Sequence, residues 1–137
     1  MTPFEIFEHT ADVGIEARGA SLRELFASAA EGMLSLLISP AAVQVRERRR
    51  VVVDADDLEG LLVDWLNELL VLLNADGFLP ARFDVQDITE RSLRAEIGGE
   101  PVDPSRHHFR LDVKAATYHQ LHVGRNSEWR ARVILDV

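Results

Sequence analysis

The sequence of 137 residues contains no cysteine. That excludes a disulfide framework, a thiolate zinc site and a cysteine nucleophile. Lysine is almost as scarce. Of the 15 basic residues 14 are arginine, and the single lysine is Lys114. Positive charge as a whole is in deficit, with a formal net charge of −8. That sign opposes broad contact with nucleic acid, because phosphate binding needs clustered positive charge, so direct RNA binding is expected to be weak or absent. The longest apolar segment, "LLVDWLNELLVLL", carries Asp64, Asn67 and Glu68 and is too short and polar to cross a bilayer. The start, "MTPFEIF", lacks the basic and apolar regions of a signal peptide. A soluble, cytoplasmic protein without membrane contact is the expectation. There is no G-x-S-x-G, no Walker loop and no H-E-x-x-H, and no nucleophile–base pair is visible, which disfavours an enzyme.

What is present is a globular composition, 47% apolar. The length suits a single domain over residues 1–137, since domains commonly run to roughly 100–150 residues. "GASLRELFASAAEGMLSLLIS" predicts a helix opened by a capping box of Ser21 and Glu24, with Leu22, Leu25, Phe26, Ala29, Met33 and Leu37 at helical spacing. Pro40 bars its continuation. "DADDLEG" predicts a second helix capped by Asp56 and Glu59. Its broad apolar face, from Leu58 to Leu73, makes it central and mostly buried, and Gly77 suits the position after its end. Asp64, Asn67 and Glu68 share one narrow stripe of that helix, read as solvated or as an acidic edge facing a partner.

The remaining segments read as strands. "VQVRERRRVVVDA" leads into the second helix, and "ARFDVQDI" and "SLRAEIGG" form a hairpin around "TER". "GGEPVDPS" is the clearest loop signal. "FRLDVKAATYHQLHV" and "WRARVILDV" follow, the latter with Trp129, Ala131, Val133 and Leu135 on one face. The order of elements predicts an α+β domain, two helices packed on mixed or antiparallel β-sheet.

The side chains with chemical capacity are few. "EHTADVG" places His9, Thr10 and Asp12 between two strand-like runs, where a turn of Gly, Asn or Pro would be ordinary. Asp136 stands beside Val137, whose main-chain carboxylate ends the sequence as given. If the last strand ends beside "HTAD", three carboxylates meet, and they call for a hard cation with oxygen ligands or for Lys114; otherwise each is solvated separately. Lysine differs from arginine as a compact point charge, so its single use is a second hint. The run Arg46–Arg50, "RERRR", reads as a charged edge strand or a docking patch for RNA or an acidic partner. His119 and His122, three apart, point to opposite faces of a strand and make poor joint zinc ligands unless a bulge intervenes.

Taken together, "FEHTADVGIEARG", "SLRELFASAAEGM", "DLEGLLVDWLNELL", "VKAATYH" and "WRARVILDV" resemble the archease family, in order and over nearly the whole chain. The resemblance implies a compact α+β domain that is a protein cofactor and not an enzyme. Its partner would be a tRNA-splicing RNA ligase of the RtcB type, which joins a 3′-phosphate or 2′,3′-cyclic phosphate end to a 5′-hydroxyl after taking a guanylyl group from GTP. The family promotes that guanylylation and repeated turnover. An alternative implied role is chaperone-like modulation of RNA-modifying enzymes such as tRNA methyltransferases. The resemblance further implies a divalent metal bound by Asp12, Asp136 and Val137, and a role in ligase activation for Asp12, Lys114 and His9. Calcium suits an irregular set of carboxylates better than magnesium does.

Overall fold

The computed structural model describes residues 3–9 and 12–137, with Glu8 and His9 described as main chain only. The elements run β1 (Phe4–His9), β2 (Asp12–Gly19), α1 (Leu22–Leu37), a 3-10 turn (Pro40–Ala42), β3 (Glu47–Asp54), α2 (Leu58–Asn74), β4 (Phe78–Ile88), β5 (Ser92–Pro101), β6 (Ala115–Arg125) and β7 (Trp129–Asp136). They form two sheets, ordered β1-β2-β7-β6 and β3-β5-β4, and every neighbouring pair is antiparallel. Both helices contact strands of both sheets, so a single core lies between them. The expected α+β architecture of two helices on antiparallel sheet is observed.

The first helix starts as its sequence predicts. Ser21 is extended and its hydroxyl accepts the Glu24 N–H, while the Glu24 carboxylate accepts the Ala20 N–H at 2.7 Å. The second starts one residue later than predicted. Asp57, not Asp56, is the cap, and its carboxylate accepts the Gly60 N–H at 2.7 Å. Two adjacent aspartates offer the same chemistry, and the chain's extended conformation falls at the second. Gly77 takes the left-handed conformation, φ 63°, two residues past the C-cap Ala75. Along α2, Leu61, Leu62, Trp65, Leu66, Leu69 and Leu70 are buried, and the Trp65 indole N–H donates to the Phe26 carbonyl at 3.0 Å. Complete burial of one such side chain stabilises by roughly 1.5–3 kcal/mol.

Two segments differ from the sequence expectation. "GGEP" is not a loop: Gly98–Pro101 ends β5, paired with Phe78–Arg82 of β4. A Cβ at Gly99 would collide with the Leu79 carbonyl, so the glycine is there for close strand approach. "FRLDV" is not strand: residues 102–114 are irregular and β6 begins at Ala115. The hairpin around "TER" is as expected, with the Thr89 hydroxyl accepting the Arg91 and Ser92 N–H groups. No helix is long and apolar enough to cross a membrane among the described residues.

Candidate metal centre and interaction site

The strand register joins residues far apart in sequence. Asp12 lies opposite His9 on one side and opposite Asp136 on the other, and Asp136 lies opposite Ala115. One row across four strands therefore reads His9, Asp12, Asp136, Ala115. Asp12 and Asp136 share a face, since directly opposed residues do. That face points away from the helices, because the alternate residues Ile15, Val133 and Leu135 enter the core. Opposed side chains stand about 4.5–5.5 Å apart at Cβ, and like charges there are destabilising.

The neighbouring rows treat charge differently. Glu16 and Arg132 are opposed and paired at 2.9 Å, and Arg132 also stacks over the Phe7 ring. Arg18 faces Arg130, but each has its own carboxylate, Glu5 and Glu128 respectively. Among the described residues neither Asp12 nor Asp136 has an ion-pair partner. Two hard oxygen donors thus face each other without a counter-charge among the described residues, a donor set that fits a calcium-like cation. No three His, Cys, Asp or Glu side chains gather among the described residues. Val137 is half-buried and packs on the core beside Asp136. The His9 side chain lies outside what the structure describes.

Lys114 joins this row through its main chain. Its N–H donates to the Asp136 carbonyl at 2.8 Å. Its side chain is exposed and lines a shallow groove with Asn67, Val71 and Asn74 of α2. It pairs with no carboxylate among the described residues, so it is not the counter-ion of Asp12 and Asp136. Beyond it, β6 slips register between Thr117 and His122, with Gln120 at φ 52°. The bulge that could bring His119 and His122 together is therefore present, yet no three-ligand cluster forms there among the described residues. Tyr118, on this bulge, is the most exposed large apolar side chain among the described residues, and partial burial plus the charges of Asp64, Asp57 and Asp56 push its phenol above the ordinary range.

The Arg46–Arg50 run is broken up by strand geometry. Arg48 pairs with Glu96 at 2.9 Å on the outward face. Arg49 points the other way and lies 4.7 Å over the Phe78 ring. Arg46 reaches Glu100 at 3.7 Å. These arginines are spent on internal partners, which weighs against a continuous anion-docking patch.

Sequence reasoning missed Glu100, the one wholly buried carboxylate among the described residues. It accepts from the Arg106 guanidinium, from the Gln44 N–H at 2.6 Å and from His107 Nε2 at 3.1 Å. The Asp103 N–H donates to His107 Nδ1 at 2.9 Å, so the proton of a neutral ring sits on Nε2 and points at Glu100. The Arg106 hydrogen bond, then that from Gln44, holds the Glu100 carboxyl down at about 2 against burial, which works the other way. This network ties residues 102–114 to the sheet and is structural. Its only sequence signal was the Glu inside "GGEP".

A sequence profile of the family described as the Archease protein family (MTH1598/TM1083) matches residues 4–137. The protein archease of Methanosarcina acetivorans is 38% identical over 139 residues, covering 98% of this chain and 95% of that one. That of Pyrococcus abyssi is 36% identical with full coverage of both. The solution structure of Methanobacterium thermoautotrophicum protein 1598 superposes with a TM-score of 0.86 at 35% identity, covering all of both chains.

Proposed function

The chain belongs to the archease family, and from that premise we propose that it is a non-enzymatic, cytoplasmic protein cofactor of a tRNA-splicing RNA ligase of the RtcB type. It promotes transfer of a guanylyl group from GTP to the ligase, and so repeated joining of 3′-phosphate or 2′,3′-cyclic phosphate ends to 5′-hydroxyl ends. The observation that carries the reading is the opposed pair Asp12 and Asp136, without an ion-pair partner among the described residues and fixed by register next to Lys114.

The two carboxylates, with main-chain oxygen at Val137, hold a divalent cation, calcium best of the candidates. When bound, that cation supplies positive charge at the sheet end, where phosphate or an acidic ligase group can be met. His9 stands in the same row by main-chain register, and a role for it in ligase activation belongs to the same proposal. Lys114 adds a separate compact charge around the strand edge, directed toward phosphate or a ligase carboxylate.

The test is a time course of ligase guanylylation with and without substoichiometric amounts of this protein. The protein alone should show no ligase or GTPase activity, and the ligase should turn over faster in its presence. Equal ligase turnover in both arms would overturn the reading and leave chaperone-like modulation of RNA-modifying enzymes as the role to examine.

A further inference from the structure

Asn67 stands in the polar stripe of α2, but its carboxamide is not given over to water. Its Oδ1 accepts the Ala116 N–H at 2.7 Å and its Nδ2 donates to the Ala116 carbonyl at 3.3 Å. Ala116 lies on β6, the outermost strand of its sheet, where no further strand supplies partners. One side chain replaces the missing neighbour at one residue, and both main-chain groups are satisfied by it.

The other edge of the same segment is held by β7. The Lys114 N–H reaches the Asp136 carbonyl at 2.8 Å, and the Thr117 hydroxyl donates to the Ile134 carbonyl at 3.0 Å. Residues 114–117 are therefore gripped from both sides just before β6 slips register. The Lys114 ammonium, in contrast, is unpaired among the described residues and shares its groove with Asn67.

We infer that Asn67 is a positioning residue for Lys114, fixing from α2 the main chain that carries the ammonium. This rests on the reading of Lys114 as an activating group. A displacement of about 1 Å at a functional group can cost on the order of 100-fold in rate, so a loosened strand edge matters there. Asn67→Leu removes both hydrogen bonds and leaves the main-chain N–H and C=O of Ala116, itself a buried residue, without a protein partner. Asn67→Asp keeps an acceptor for the Ala116 N–H and sets a carboxylate against the Ala116 carbonyl.

The experiment is a double-mutant cycle on ligase guanylylation with Asn67→Leu, Lys114→Arg and the pair, beside a direct view of the lysine. Each single variant should lower stimulation by about 10-fold or more, and the pair no further than Lys114→Arg alone, because coupled residues are not additive. Independent, multiplicative losses would overturn the inference. Since Lys114 is the only lysine, isotopically labelled dimethylation reports it as a single side-chain resonance apart from the amino terminus. That resonance should move in Asn67→Leu and in Asn67→Asp. An unmoved resonance in a folded variant overturns the inference whatever the ligase does. If the resonance moves but the wild-type protein fails to stimulate any ligase, the ligase reading falls and the positioning of Lys114 by Asn67 stands. Should Asn67→Leu fail to fold, Asn67→Asp carries the same measurement.

Discussion

Asp12 and Asp136 face each other across β2 and β7, two like charges at one position of a sheet whose neighbouring row, Glu16 and Arg132, is an ion pair. Without metal, Asp12→Asn should therefore leave the fold intact and raise its stability by a few tenths to about 1 kcal/mol, the usual scale of cross-strand charge effects. With calcium the order should invert. Saturation to about 100 times the dissociation constant adds roughly 2.7 kcal/mol to a protein that binds one ion. Thermal melts with and without calcium decide this: a wild type that gains nothing from calcium, or an Asn variant that gains as much, removes Asp12 from the metal site.

A chain extended beyond Val137 should lose calcium affinity as well. Extension converts the main-chain carboxylate into a neutral amide beside Asp136. Calorimetric titration of calcium into both forms is the measurement, and equal affinities would show that this carboxylate is no ligand.

Lys114→Arg should melt like wild type and lose most of the stimulation of the ligase. Charge is retained, but the compact ammonium becomes a planar fork with a different reach. The side chain is exposed and unpaired among the described residues, so no packing reason stands in the way of folding. Full stimulation by the Arg variant would reduce Lys114 to a generic cation.

Acid should unfold the protein through Glu100. Its carboxyl is held at about 2 in the fold against an ordinary 4.5, so between those values the unfolded chain binds more protons. The contribution is complete above pH 4.5 and declines as pH falls toward 2. Denaturant midpoints measured across that window should drop for wild type. For Glu100→Gln the same stretch should be flatter, on a baseline already lowered because Arg106 loses one of its two charged partners and keeps only Asp103.

RNA should bind weakly even at low salt, because Arg48 and Arg49 already have partners and the net charge is −8. Arg49→Ala should instead cost stability, about 0.5–1 kcal/mol for the lost stacking on Phe78. Tight RNA binding that disappears when Arg48, Arg49 and Arg50 become Ser would reverse this ranking.

How far the sequence could be read depended on the range of the forces involved. Helix α1 was legible because its periodicity and its Ser21 cap are local. The cap of α2 was misplaced by one residue because Asp56 and Asp57 are chemically alike. "GGEP" was read as a loop because paired glycines usually mark turns, whereas here strand packing over Gly99 decides. The meeting of Asp12 with Asp136 could be suspected from the two chain regions, but only register fixes it. The Asn67 clamp was beyond reach, since its partner Ala116 lies 49 residues away and nothing near Asn67 announces it.

Gly14 sits beneath the Phe7 ring, and any side chain there would drive the ring off. Arg132 would then lose the surface it lies on, and β1 one of the side chains that help its main-chain pairing hold it to the sheet. Were β1 to leave, the next strand inward, β2, would become the edge, and the main chain of Asp12–Ala17 would be unpaired on that side. Such an edge recruits other copies of itself. In that sense β1 is the guard of the protein's solubility, and the smallest residue in the chain is what keeps the guard at its post.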